Sequence, residues 1–273
     1  MTKNKNEITK TNDNSLIFSA TLDESAMNLM NADAQEYTDN TSPDELTIPR
    51  IRIIQSGSEE RKKASSSFIK EVEEGDTINT LTKEIFKGDV GFLFIPIFKR
   101  IVYLEWKDRA KGGGLAKNYG EDANAFLSAT VDQDTGKRIS TQGNEIVKTY
   151  DFFGYIVDMK NKKASEVVIS MSKTQAKKAK NWNTIMRNLT AKDGKQLPIF
   201  AGVYKFTTVP ESNDKGSWFN YNIDFAGYTL AIPEVGKIAY EKAKNFIQSI
   251  KDIKVSYEDE DATSSTDSND DRM

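Results

Sequence analysis

Apolar positions along this chain follow two periods, and the change from one to the other locates the elements. From Ile48 onward, Ile51 and Ile53 alternate with Arg50 and Arg52, the period of a half-buried strand whose arginine face is free to meet a ligand. Phe92 to Phe98 is apolar at nearly every position, which predicts a strand covered on both faces. Pro96 interrupts that run and predicts an edge position or a bulge, because proline has no N–H to give to a ladder. Tyr150 to Met159 and Glu166 to Met171 flank Lys160 to Lys163 as a hairpin with a basic tip. Leu197 to Val209 and Trp218 to Gly227 form a further pair around a turn at Pro210 to Gly216. In the second of them Phe219, Tyr221, Ile223 and Phe225 oppose Trp218, Asn220, Asn222 and Asp224. Shorter extended segments are predicted at Phe68 to Val72 and Ile78 to Thr82, and residues 120–149 read as a polar loop or hairpin arm.

A helical period replaces this alternation twice. In Ser172 to Leu189, Ala176, Ala179, Trp182, Ile185, Met186 and Leu189 form one stripe, while Lys173, Lys177, Lys180, Thr184 and Arg187 share another face. Ser172 and Gln175 have the spacing of a capping box. Pro233 opens a second amphipathic helix through about Ile253, with Val235, Ile238, Ala239, Lys242, Phe246 and Ile250 along one side. Together these elements predict an α+β, β-rich domain over residues 47–256, with helices packed on the strands.

Composition and charge alter the picture at both ends. Residues 1–46 are rich in Asn, Thr, Asp and Ser, with one short helical pattern from Asp23 to Met30, and residues 257–273 have no apolar periodicity; both are predicted to be disordered and acidic. The net charge of −3 is unevenly spread. Residues 1–47 hold three basic and nine acidic side chains, and residues 257–273 hold one and seven, so each end carries −6 and residues 48–256 carry +9. A basic body between acidic ends points to nucleic-acid contact by the body, with the ends competing for that surface or recruiting partners. No cysteine and no histidine occur, which excludes disulfides, thiolate or imidazole metal sites, cysteine nucleophiles and histidine triads. A non-enzymatic protein without a cofactor is the expectation. The first residues show no apolar signal core and no window approaches the ~18 apolar residues of a membrane span, so a soluble, intracellular protein is expected.

The candidate chemistry is cationic and aromatic. Lys99, Arg100, Tyr103, Trp106, Lys107, Arg109 and Lys111 follow the apolar run, Gly112 to Gly114 come next, and Tyr119 follows. Such a mixture meets phosphate charge and flat bases together. Neither the Walker spacing nor a Gly-x-Gly-x-x-Gly fingerprint is present. No acid occurs between Lys173 and Arg187, so this helix lacks the carboxylates four residues away that a merely soluble helix would carry, and its cations suit a phosphate chain. Trp182 and Trp218 join Arg50, Arg52 and the cations above as candidate contacts. Pro43-Asp44 and Glu105-Trp106-Lys107 imitate the two halves of a magnesium-nuclease pattern.

Five stretches carry a resemblance: IPRIRIIQ from Ile48, GDTINTLT from Gly75, FIPIFKRIVYLEWKDR from Phe94, GGGL from Gly112 and SKTQAKKAKNW from Ser172. They are similar to replication-module proteins of tailed bacteriophages regarded as single-stranded DNA-binding proteins. The resemblance implies an elaborated oligonucleotide/oligosaccharide-binding (OB) barrel that coats exposed strands during DNA replication or recombination in the cytoplasm of the infected host cell. The acidic end resembles the recruiting tails of bacterial single-strand binders, which implies a phage polymerase or helicase as partner. It departs from them in closing on Asp270-Asp271-Arg272-Met273 rather than on an apolar aromatic tip. The competing expectations are a phage structural or scaffolding protein and a magnesium-dependent nuclease.

Overall fold

The computed structural model describes residues 47–108, 110, 112–214 and 216–249. The acidic ends, the Asp23–Met30 pattern, Arg109 and Lys111 lie outside these residues. The protein is a strand-rich α+β structure built on one sheet of eleven strands. In chain order they are β1 (Arg50–Ile53), β2 (Thr77–Asn79), β3 (Ile85–Phe86), β4 (Phe92–Trp106), β5 (Leu115–Asn118), β6 (Thr130–Val131), β7 (Arg138–Ile139), β8 (Glu145–Asp158), β9 (Lys163–Met171), β10 (Gly202–Asn213) and β11 (Gly216–Tyr228). The helices are α1 (Asn124–Ser128), α2 (Ala176–Arg187) and α3 (Val235–Ser249).

Along the sheet the order is β11-β10-β4-β8-β9-β1-β2-β3, with β5 on β4 and the small β6–β7 pair on β8. The run β10-β4-β8-β9 is a Greek key, since β4, β8 and β9 are consecutive antiparallel neighbours and β10 returns through α2 to lie beside β4. β1 pairs with β9 in parallel. Irregularities at Pro96/Phe98, Glu105/Trp106 and Val203/Tyr204 add local twist and curl the sheet into a half-barrel. The curl brings the two margins together. The Gln55 side-chain amide spans to β11, donating to the Phe219 carbonyl at 2.9 Å and accepting from the Phe219 N–H at 2.9 Å. Thr208 of β10 adds its N–H to the Gly88 carbonyl at 2.8 Å and its hydroxyl to the Gly75 carbonyl at 2.6 Å. Gly75 has φ +90° and a Cβ there would stand 2.6 Å from the Phe219 ring, so this seam requires glycine.

The concave side holds the main core. Trp182 of α2 is 0 % exposed and enters it, 4.3 Å from the Phe152 ring, 5.0 Å from Phe206, 5.4 Å from Tyr204 and 5.9 Å from Phe94. On the convex side Val235, Ala239 and Ala243 of α3 cover Ile95, Ile97 and Tyr155. A second convex cluster joins Val102, Leu104, Phe153 and Val168.

Several expectations change in physical detail. Pro96 causes a bulge, as its position predicts, but β4 is central rather than an edge. The proline is tolerated because β10 pairs with β4 only at residues 92–94 and β5 only at 104–106, so Pro96 falls in the gap between the two partners on that side. Phe68–Val72 is not a strand, because its N–H groups turn inward, Phe68 to the Ser65 carbonyl and Val72 to that of Ile69. The Pro210–Gly216 turn shrinks, with β10 running to Asn213 and β11 starting at Gly216. The arm at 120–149 folds into α1 and the β6–β7 pair. Ser172 caps the helical segment without a side-chain hydrogen bond, since Lys173 at φ +49° opens it as a 3₁₀ turn rather than the α-turn that a capping box requires.

Candidate nucleic-acid interface

The register of β4 against β8 separates the cations that lie together in sequence. Lys99 stands opposite Phe152 on the concave face, whereas Arg100 stands opposite Asp151 on the convex face, because successive strand side chains point to opposite sides. Lys99 is exposed and its Nζ donates to Asn183 Oδ1 of α2 at 2.7 Å. Partial desolvation there lowers its ammonium below the ordinary lysine value. Arg100 is held on the other side, 3.4 Å from Asp151 and 5.0 Å above the Phe153 ring. Arg52 is half-buried and paired with Glu60, and Arg50 shares its face of β1.

Two clefts lie beside β4 and β8, each lined by one residue of the α2 segment. The first, about 400 Å³, is lined by Lys99, Tyr103, Glu121, Tyr150, Phe152 and Asn183, and Arg100 contributes to its lining although its guanidinium pairs with Asp151. Lys148 stands opposite Tyr103 in the ladder and its Nζ lies 5.4 Å from the Tyr150 ring. The second, about 320 Å³, is lined by Trp106, Lys107, Lys137, Glu145, Lys173 and Gly113–Gly114. Helix α2 connects them, since Lys173 precedes its start and Asn183 sits near its end. Lys177, Lys180 and Arg187 are exposed on it, and among the described residues none of the three has a carboxylate within 4.0 Å. Lys173 and Lys178 do find partners, Glu145 and Glu211, each at 2.9 Å and each from a distant strand.

Trp182 is corrected from a stacking candidate to a core residue, because an indole with no exposed surface has no face for a base. Tyr103 is 8 % exposed and leans on Phe126 at 5.2 Å. Trp106, Tyr119 and Trp218 are half-buried, each retaining some surface, and Lys107 is exposed. The structure therefore brings Lys99 and Tyr103 together at the first cleft and Trp106, Lys107 and Lys173 at the second, with Lys177 and Lys180 exposed on α2; Trp106 packs against the convex cluster of Val102 and Leu104, on the side of the sheet that carries the Arg50, Arg52 and Arg100 side chains. Trp218 stands apart on β11, opposite Glu211. Tyr150, Lys137 and Lys148 were missed by sequence reasoning, because nothing local reveals that β8 lies beside β4.

Glu105, one third of the nuclease-like triplet, is buried inside this region and its oxygens are engaged. Tyr119 Oη donates to it at 2.5 Å, Ser140 Oγ at 2.6 Å and Asn144 Nδ2 at 2.8 Å, pinning the 119–144 segment to β4. Burial raises its pKa, but these three bonds and Lys117 outweigh that effect and hold the carboxyl below its ordinary value. A depressed carboxyl stabilises the fold above its unfolded pKa and loses that contribution as pH falls through the folded value. Acid melts should therefore show a stability loss below the ordinary glutamate range that Glu105→Gln removes, and Glu105→Ala should cost about 1–3 kcal/mol at neutral pH by orphaning buried donors. An acid limb identical in Glu105→Gln and wild type would contradict this role. Among the described residues no group of three or more acidic side chains is placed to hold a metal ion, and no helix is long and apolar enough to cross a membrane.

The family model described as Pam3 phage gp34-like protein matches residues 18–256. The chain belongs to that family, and is thus a phage protein. No curated protein and no solved structure matches it.

Proposed function

We propose that this phage protein binds single-stranded DNA with little sequence preference and coats exposed strands during replication or recombination. The observation that carries the reading is the pair of clefts beside β4 and β8, one lined by Lys99 with Tyr103 and Tyr150 and the other by Lys107, Lys137 and Lys173 with Trp106, next to a helix on which Lys177 and Lys180 are exposed. Phosphates suit the lysines and a base suits Trp106, which is half-buried where Tyr103 and Tyr150 are buried, and neither contact demands a particular sequence. Topology favours the same reading. A Greek key of β10-β4-β8-β9, with β11 as a fifth strand and α2 inserted before β10, supports reading the half-barrel as an elaborated OB barrel, from which it departs in having β1 rather than the fifth strand beside β9.

The test is fluorescence anisotropy with single-stranded, double-stranded and RNA oligomers of mixed sequence, with magnesium and with chelator. We expect single strands to bind best, with affinity falling on a log–log plot by ~0.7 per phosphate contact as salt rises. Affinity indifferent to salt would overturn the proposal. Cleaved product dependent on magnesium would instead mark a nuclease, and failure to bind any nucleic acid would favour a structural or scaffolding role.

A further inference from the structure

The second cleft contains a carboxylate where a phosphate would be expected. Glu145 opens β8 directly opposite Trp106 in the ladder, and its Oε2 lies 2.9 Å from Lys173 Nζ and 3.6 Å from Lys137 Nζ. The two ammonium groups come from different parts of the chain, one from the turn before β7 and one from the segment leading into α2, and both are about half exposed. Lys107 and Trp106 also line the cleft, the indole half-buried against the cluster of Val102 and Leu104. Asp108 is a second acid lining the cleft, and its Oδ1 accepts the Ala110 N–H at 2.8 Å. Gly113 and Gly114 line it as well, both with positive φ, at 64° and 98°, so no side chain projects from that stretch.

We infer that this cleft is a mononucleotide subsite whose phosphate position is held in the free protein by Glu145. The inference rests on the proposed function and adds a residue with the opposite sign to the rest of the site. A strand phosphate carries the same charge and the same two-oxygen reach as the carboxylate, so it takes Lys137 and Lys173 from Glu145 while a base stacks on Trp106. Glu145 is only 20 % exposed and tethered, so it exchanges partners without leaving. The free cleft is thereby kept from collecting stray anions. Each strand that binds must first displace an internal competitor, which weakens binding overall and damps its salt dependence.

The experiment compares wild type with Glu145→Gln, an isosteric change at a half-buried position whose folding is checked by circular dichroism. Two probes are used, a labelled thymidine oligomer and thymidine 5′-monophosphate, the latter read by tryptophan quenching that Trp106→Phe abolishes. Glu145→Gln should bind both about threefold to tenfold more tightly at low salt, the worth of one or two partly exposed ion pairs, and the gap should close as salt rises. Thymidine lacking the phosphate should show no gain. Lys173→Gln should cost more affinity in the Glu145→Gln background than in wild type, because only there is the ammonium unencumbered. Unchanged or weaker binding of both probes by Glu145→Gln would overturn the inference, and is what a purely structural glutamate predicts. If neither protein binds the oligomer yet Glu145→Gln gains the monophosphate, the subsite stands and strand coating falls; equal oligomer affinities with no monophosphate gain leave coating standing and remove the subsite.

Discussion

Trp182→Ala should lower the free energy of unfolding by about 3–5 kcal/mol, the cost of removing the largest side chain from a core that cannot collapse around the space. The indole lies within 4.3–5.9 Å of four rings on three strands, and the Greek-key return from β9 to β10 passes through the helix that carries it. A domain of ordinary stability, about 5–15 kcal/mol, would lose a large part of its margin. Trp182→Phe should recover much of the loss, because Nε1 is buried without an acceptor among the described residues and phenylalanine removes that orphaned N–H along with part of the volume. Urea melts of the three proteins measure the effect. A loss below 1 kcal/mol in Trp182→Ala would show that α2 does not anchor the half-barrel, and with it would go the reason why this helix is a rigid support for its lysines.

Replacing Lys173, Lys177, Lys180 and Arg187 together by glutamine should reduce single-strand affinity by roughly one to two orders of magnitude at low salt and flatten the salt slope by up to about 3, at ~0.7 per phosphate contact. The four lie on exposed positions of the α2 segment, opposite the buried Ala179, Trp182 and Met186, so the substitutions leave the packed face untouched and the melting temperature should barely move. Affinity loss without a change of slope would mean that the residues act through the fold rather than through phosphates. Wild-type affinity and slope in a folded quadruple variant would remove α2 from the interface altogether. Lys173 is the one member that starts paired, to Glu145, so its single substitution should cost least.

Local pattern carried far where one element's own periodicity decided the outcome. The alternation of Ile51 and Ile53 with Arg50 and Arg52, the hairpin of β8 and β9, and the stripe of Ala179, Trp182 and Met186 all follow from side chains that must be buried together on one face. The same stripe sends Trp182 to the core, which is why an indole at that period is a poor stacking candidate however basic its neighbours. Pro96 announced its bulge for a covalent reason, the missing N–H, but whether the strand was central or at an edge depended on where β5 and β10 stop. Phe68 to Val72 has the composition of a strand but no neighbour to pair with, and strand propensity without a partner leaves a turn.

What the chain determined by itself was its division into a basic body and acidic ends, the strand-rich character of that body, and the cationic face of one helix. These are properties of composition and of periods 2.0 and 3.6, which need no knowledge of distant residues. Tertiary structure alone decided which cations share a site. Lys99 and Arg100 are neighbours in the chain and lie on opposite sides of the sheet, while Trp106, Lys137, Glu145 and Lys173 are scattered over 68 positions and line one cleft. The physical reason is that a pleated strand turns adjacent side chains apart, whereas ladder register and the Greek-key crossover bring remote ones within hydrogen-bonding reach, and neither register nor crossover is written in any local stretch of residues.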